Sequence, residues 1–180
     1  ALTREGYVFG PNLDSVVEGA PCEVTLVTLH DEQIGKPVAL AGPGPHAPVA
    51  ARRAAEFATI DGTRPTLLNV QRPELATETD PVTRGEEVIN NVASRAGLDP
   101  SEYDTEVIVD EDIEDAILDT VERYNTICVG LSERSEASRL MFGTIAERIS
   151  QEATSNVGIV RGSYEDNETE KSEIQSYPVQ

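Results

Sequence analysis

The sequence is poor in aromatic residues and in cysteine. It has no tryptophan, three phenylalanines and five tyrosines among 180 residues, so a hydrophobic core has to come from Val, Ile, Leu and Ala. That composition is typical of a parallel sheet covered by helices. Cys22 and Cys128 are the only cysteines, and each lies at or inside a short apolar run. We therefore expect two buried free thiols, and neither a disulfide framework nor a metal motif.

Positive charge is also scarce. The chain carries 14 Lys and Arg against 33 Asp and Glu, which makes the formal net charge −19. Such a surface repels nucleic acid phosphates and anionic lipid headgroups, which argues against nucleic acid as a main partner. We interpret the acidity as an adaptation to high salt, where screening makes self-repulsion tolerable. The sequence also lacks a signal sequence and any apolar run of about 18 residues, so we expect a cytoplasmic chain that does not insert into a membrane.

Short apolar runs alternate with amphipathic segments along the middle of the chain. The intervening segments carry apolar residues at helical spacing, and one of them starts at Asp80-Pro81 and ends at Gly97, which are typical helix boundaries. Single helices between successive strands predict right-handed crossovers. The predicted fold class is α/β, a three-layer αβα open sheet of five parallel strands. The five strand-like runs lie at residues 37–41, 66–70, 106–109, 126–130 and 156–160.

One turn in this fold has a pattern suited to phosphate. Gly130 ends the fourth strand, and Gly143-Thr144 opens the next helix. Glycines let backbone N–H groups approach phosphate oxygens, and a helix N-terminus adds partial positive charge. Arg134 lies within the turn and is able to pair with a phosphate, whereas the carboxylate of Glu133 would repel one. Two interpretations stay open: a nucleotide-binding loop, or a turn that only connects a strand to its helix.

At this turn the chain resembles the universal stress protein family, and the resemblance covers residues 37–161. The family's nucleotide signature is Gly, two residues, Gly, nine residues, Gly, and then Ser or Thr. Gly130, Gly143 and Thr144 match it, whereas Glu133 replaces the second glycine. The acidic residue usual at the end of the first strand is missing as well. The turn Gly42-Pro43-Gly44-Pro45-His46 is similar to the Gly-Pro-His form of copies attached to membrane transporters.

The resemblance implies a fold, a function and a set of residues. The fold is the adenine nucleotide alpha hydrolase-like sheet with strand order 3-2-1-4-5. The function is a non-catalytic regulatory or sensory domain in the cytoplasmic part of an amino acid or cation transporter, with a degenerate site for ATP, ADP or AMP and no predicted metal. The alternative is a free-standing dimeric stress-response protein that binds ATP or AMP. The residues implied for the nucleotide are Gly42, Gly44, His46, Val70, Gly130, Arg134, Gly143 and Thr144.

The start of the chain repeats the order of its end, which is turn, helix and strand. Residues 9–12 align with 142–145, and the strand-like run 24–27 lies opposite 157–160. We interpret residues 1–30 as the C-terminal helix and strand of a preceding repeat; an unrelated extension is the alternative. A linker at 31–36, the domain at 37–161 and an acidic disordered tail at 162–180 complete the predicted organisation. Because fifth strands commonly pair antiparallel across dimers in the family, we expect a dimer through the fifth strand, or pairing of 24–27 with 157–160 in the same chain or a neighbour.

Overall fold

The fold is described from a computed structural model, which covers residues 15–17, 19–73, 80–131 and 144–163. Residues 15–17 and 19 are helical and precede the first strand. None of the helices in these ranges is long and apolar enough to span a bilayer. The elements that follow are β1 (Val24–Thr28), β2 (Pro37–Leu40), α1 (Ala47–Ile60), β3 (Thr66–Gln71), α2 (Pro81–Ala96), β4 (Asp104–Val109), α3 (Ile113–Val121), β5 (Thr126–Gly130), α4 (Thr144–Glu152) and β6 (Asn156–Arg161).

The strands form one sheet in the order β1-β6-β5-β2-β3-β4. Strands β2 to β6 are parallel and follow the predicted order, with β2 as the first strand of that series. The predicted five parallel strands are confirmed, and β1 adds a sixth, antiparallel strand at the free edge of β6. Leu26 faces Ile159 in this pairing, as predicted for residues 24–27 and 157–160. Since β6 now lies between β1 and β5, a second copy cannot pair with β6 unless β1 leaves.

Side chains alternate between the two faces of the sheet, and helices cover both faces. On β2, Ala39 packs in the cluster with α1 and α2, whereas Val38 packs in the cluster with α3 and α4. Alanines on the inner side of α1, such as Ala50 and Ala54, are fully buried. Their small side chains let this helix lie close to the centre of the sheet, which positions its N-terminus at the carboxyl end of β2.

The predicted boundaries of α2 are confirmed. The Asp80 carboxylate accepts hydrogen bonds from the N–H groups of Val82 and Thr83, each at 3.1 Å, and Pro81 occupies the first turn. Gly97 ends the helix with a φ of 74°, the left-handed region that glycine adopts without strain. Both ends of this helix are therefore determined by local sequence.

The segment predicted as a linker is held against the sheet by the side-chain amides of Asn156, which is buried, and Asn125, which is exposed. Asn156 accepts hydrogen bonds through Oδ1 from the N–H groups of His30 (2.8 Å) and Asp31 (2.9 Å), and its Nδ2 donates to the carbonyl of Gln33 over 2.9 Å. Asn125 accepts from the N–H of Lys36 over 3.1 Å. Residues 30–36 therefore cross the amino-terminal edge of β5 and β6 as an ordered strap.

The two cysteines differ in environment. Cys128 lies on the central strand β5 and is fully buried, as predicted; burial raises the pKa of its thiol to about 12, against a smaller opposing effect of Arg53. The expectation for Cys22 is wrong, because this side chain is exposed. Cys22 precedes β1 and lies outside the strand register, where the chain runs over the surface.

Candidate functional site

The carboxyl ends of the parallel strands form a rim at one edge of the sheet. The strand order reverses between β2 and β5, and the turn after β2 contacts the end of β5 there. The rim turn, which we define as residues 42–46, leads into α1. The N-termini of α1 and α4 both open at this edge, because each helix follows a strand of the parallel set. Helix N-termini carry partial positive charge, so this edge favours an anion although the protein as a whole is strongly acidic.

The structure brings five of the predicted site residues to this rim. Arg134 and Gly143 lie outside the described residues, and so does the side chain of Thr144, although Thr144 begins α4. The five residues at the rim are Gly42, Gly44 and His46 in the rim turn, Val70 on β3 and Gly130 at the end of β5.

His46 is a structural residue of the rim turn. It is 3% exposed and occupies the N-cap position of α1, where its carbonyl accepts from the N–H of Ala50 over 3.0 Å. Its imidazole Nδ1 accepts from the N–H of Gly162 over 3.1 Å. An accepting Nδ1 carries a lone pair, so the proton of this neutral ring is on Nε2. His46 thus joins the rim turn to the chain that leaves β6.

Gly130 is required by a close approach between two backbones. A Cβ placed on Gly130 would lie 2.7 Å from the carbonyl carbon of His46 and 2.9 Å from its oxygen. No glycine of the rim in the described residues has a positive φ. Gly44 is different, since a Cβ there would meet nothing within 4 Å. The glycine at 130 is therefore explained by packing, whereas the glycine at 44 leaves open space on the rim.

An amide pair on β3 lies beside the end of β2, where the resemblance leads one to expect an acidic residue and the chain has Ala41. Asn69 is buried on β3, and its Nδ2 donates to the carbonyl of Ala41 over 2.6 Å. Gln71 Nε2 donates in turn to Asn69 Oδ1 over 2.7 Å. Sequence reasoning missed this pair, although an asparagine inside the apolar run of β3 was a usable signal. The pair fastens the end of β2 to β3 without adding negative charge to the rim.

Arg161 is a second residue that sequence reasoning missed. It ends β6, is 7% exposed, and its Nη2 donates to the carbonyls of Ala20 (2.6 Å) and Cys22 (2.9 Å). Glu23 lies beside these residues and pairs with Arg52 at 2.8 Å and with Arg53 at 2.5 Å, both on α1. The chain entering β1 is therefore bound to two elements that flank the rim.

A cavity of about 110 Å³ lies far from this rim. It opens at the amino-terminal edge of the sheet, between the C-terminal ends of α3 and α4. Leu118, Val121 and Ile127 form its apolar part, and Glu122 and Glu152 line it as well. Because the rim is at the opposite edge, this cavity does not contribute to the predicted site.

Comparison with known families agrees with the fold. The family model described as the universal stress protein family matches residues 38–161. This chain belongs to the universal stress protein family. The match spans β2 to β6 with their helices, so it includes every strand that forms the rim. A comparison with curated proteins finds no match.

Solved universal stress proteins share this fold at low sequence identity. One crystallised in complex with cAMP is 16% identical with a TM-score of 0.54, and covers 73% of this chain and 100% of its own. One from Archaeoglobus fulgidus is 21% identical with a TM-score of 0.54, covering 71% and 98%. A putative universal stress protein from Pseudomonas aeruginosa is 17% identical with a TM-score of 0.57, covering 91% of this chain and 60% of its own. The match to the longer Pseudomonas chain thus covers more of this chain than residues 38–161.

Proposed function

We propose that this chain is a non-catalytic regulatory or sensory domain that binds an adenine nucleotide weakly at the rim. The observation that carries the proposal is the gathering of Gly42, Gly44, His46, Val70 and Gly130 at the edge where two helix N-termini open. Ligands of parallel α/β sheets bind at this edge, at the point where strand order reverses. A relative of the same fold crystallised with cAMP supports the choice of an adenine nucleotide.

The residues of the rim fit a phosphate group better than they fit an adenine base, which the missing acidic residue at the end of the first strand contacts in the family. Gly44 leaves open space beside the N-terminus of α1, so a phosphate is able to approach the backbone there. At the end of β2, where the family usually has an acidic residue, the carbonyl of Ala41 accepts a hydrogen bond from Asn69, which in turn accepts one from Gln71. With Glu133 in the loop signature, the proposed affinity is low, and ATP, ADP and AMP are the candidates. Arg134, Gly143 and Thr144 remain part of the proposed site.

A charge placed at Gly44 tests the proposal. A carboxylate about 6 Å from a phosphate costs about 3 kcal/mol at an effective dielectric constant near 20, so Gly44→Asp should weaken AMP binding by about tenfold or more. Asn91→Asp is the control, because it adds the same charge at an exposed position of α2 outside the rim turn. Isothermal titration calorimetry with AMP, ADP and ATP at constant high salt measures the effect. Equal affinities for Gly44→Asp and Asn91→Asp would contradict a site at this rim.

We also propose that residues 1–30 are the last helix and strand of a preceding universal stress unit. The helical residues 15–17 and 19 lead to β1 as α4 leads to β6, and the two strands pair antiparallel. The coverage of 91% of this chain by the longer Pseudomonas protein is consistent with a second unit.

The two edges of the sheet also differ. The edge strand β4 carries Asp104 and Glu106, whereas β1 has no charged residue to protect its free edge from another strand.

The finer proposal is that this domain lies in the cytoplasmic part of an amino acid or cation transporter from an organism of high salt. The Gly-Pro-His turn and the proposed preceding unit support it. The alternative, a free-standing dimer through the fifth strand, is disfavoured because β1 covers the edge of β6 that such a dimer needs.

The complete reading frame decides between these two proposals. We expect it to encode a further universal stress unit and several membrane spans upstream of Ala1. Sequencing of the full gene checks this directly. A frame without membrane spans would contradict the transporter proposal and leave the nucleotide site untouched.

A further inference from the structure

The residues that hold β1 in place are connected by hydrogen bonds to the rim turn. Gly162 is the connecting residue: its N–H donates to His46 Nδ1 over 3.1 Å, and its carbonyl accepts from Arg161 Nη1 over 2.9 Å. Arg161 Nη2 then donates to the carbonyls of Ala20 (2.6 Å) and Cys22 (2.9 Å). A continuous path therefore runs from the imidazole in the rim turn to the backbone that enters β1. We call these bonds the His46–Arg161 path.

The path is buried where it passes between the two sites. His46, Arg161 and Gly162 are all buried, so each group that loses its partner stays away from water. Leaving a buried donor or acceptor unpaired costs about 1–3 kcal/mol. The Gly162 backbone uses its N–H toward the rim and its carbonyl toward Arg161. A shift of the guanidinium therefore changes the position of the group that orients the imidazole of His46.

The segment at the other end of the path is lightly packed. Val17 is the only buried side chain among the described residues of 15–28, and no residue of β1 is buried, whereas every residue of β6 is. The segment is held by pairing with β6, by Arg161, and by the ion pairs of Glu23 with Arg52 and Arg53. Elements with few buried apolar contacts open locally at low free energy. Release of β1 from β6 is therefore expected at a lower free energy than release of a strand whose residues are buried.

We propose that binding at the rim and pairing of β1 with β6 are coupled through the His46–Arg161 path, with Arg161 as the positioning residue. A nucleotide in contact with the rim turn holds the imidazole in the orientation that accepts from Gly162, and so stabilises the bound position of Arg161. Release of β1 removes the carbonyls of Ala20 and Cys22 from Arg161 and weakens nucleotide binding. This inference rests on the proposed function. It gives the domain a route by which a ligand alters the strand that joins it to a neighbouring unit.

Hydrogen exchange of residues 24–28 measures the coupling, with calorimetry as a separate measure of binding. Saturating AMP should slow exchange in β1 of the wild type by about fivefold or more, the lower end of typical allosteric coupling. Arg161→Gln should abolish this slowing and weaken AMP binding by a similar factor, because coupling free energies are reciprocal. Arg64→Gln is the matched control, since Arg64 also donates to a backbone carbonyl, that of Tyr103, but at the amino-terminal edge. It should leave both quantities unchanged.

A second pair of variants is measured without ligand, and it tests the path even if Arg161→Gln fails to fold. His46→Leu keeps the buried volume but removes the acceptor, and should speed exchange in β1 of the ligand-free protein by about fivefold. His46→Gln retains an acceptor and should restore slow exchange. AMP that binds without slowing exchange in β1 would overturn the coupling and leave the proposed function standing. If the wild type did not bind AMP, both the proposed function and the coupling of nucleotide binding to β1 would be overturned. Equal exchange in His46→Leu and the wild type would overturn the path itself.

Discussion

Alanine at position 130 is expected to lower the free energy of unfolding by about 3 kcal/mol, the upper end of the usual cost of overpacking. The new Cβ would lie 2.7 Å from the carbonyl carbon of His46, 2.9 Å from its oxygen and 3.0 Å from the nitrogen of Ala47. All three are backbone atoms, which cannot rotate away as a side chain does. The rim turn would have to move off β5, and the hydrogen bond between Gly162 and His46 would be stretched. Urea denaturation at constant high salt, followed by circular dichroism, measures the change.

Gly44→Ala is the control for this prediction. Its Cβ meets no atom within 4 Å, and its φ is not positive, so the free energy of unfolding should change by less than about 0.5 kcal/mol. If Gly130→Ala proved as stable as Gly44→Ala, the contact between the rim turn and β5 would not be part of the folded core. The comparison thus separates a glycine needed for packing from one that leaves the rim open.

Replacement of Asn156 by leucine is expected to lower the free energy of unfolding by about 4 kcal/mol, at least as much as Gly130→Ala. The side chain is fully buried and satisfies the N–H groups of His30 and Asp31 and the carbonyl of Gln33. Leucine has a similar volume but no polar atom, and each group left without a partner costs about 1–3 kcal/mol unless water reaches it. Residues 30–33 are exposed on their outer side, so water reaches the unpaired groups once this part of the strap lifts from the sheet. We therefore expect faster hydrogen exchange in these residues together with the lower stability.

Asn91→Leu provides the matched comparison, because Asn91 is exposed on α2. It should change the free energy of unfolding by no more than about 0.5 kcal/mol. Loss of stability in Asn156→Leu without faster exchange at 30–33 would show that the strap is held by other contacts. One such contact is the hydrogen bond from Thr126 Oγ1 to the carbonyl of Ile34, at 2.8 Å.

The amino-acid pattern predicts most of the fold because the decisive signals are local. Apolar runs locate β2 to β6 within one or two residues, and the single helices between them imply the parallel sheet. The ends of α2 follow from Asp80, Pro81 and Gly97, whose hydrogen bonds and backbone angle involve only neighbours in sequence. The extra strand is predicted from internal repetition, since residues 24–27 match the pattern of the last strand.

The candidate site is only partly predictable from the sequence, because the roles of its residues depend on contacts between distant segments. The pattern of glycines identifies Gly42, Gly44 and Gly130, and the fold brings them to one edge. Their roles are not contained in the pattern, because Gly130 is explained only by the backbone of His46 across the rim. Asn69 and Arg161 carry no motif, and their partners become visible only once β2 lies beside β3 and β1 beside β6.

By itself, the sequence determines the family, the parallel sheet with its order of helices and strands, and a strongly negative net charge. These properties depend on composition, on periodicity and on residues close together in the chain. Only the tertiary structure decided which side chains hold the molecule together around the rim and the strap. His46 and Gly162 are 116 residues apart, and Asn156 and His30 are 126 apart, so their hydrogen bonds depend on strand register and helix packing. No local pattern encodes such contacts, because they form only after the sheet has brought distant segments together.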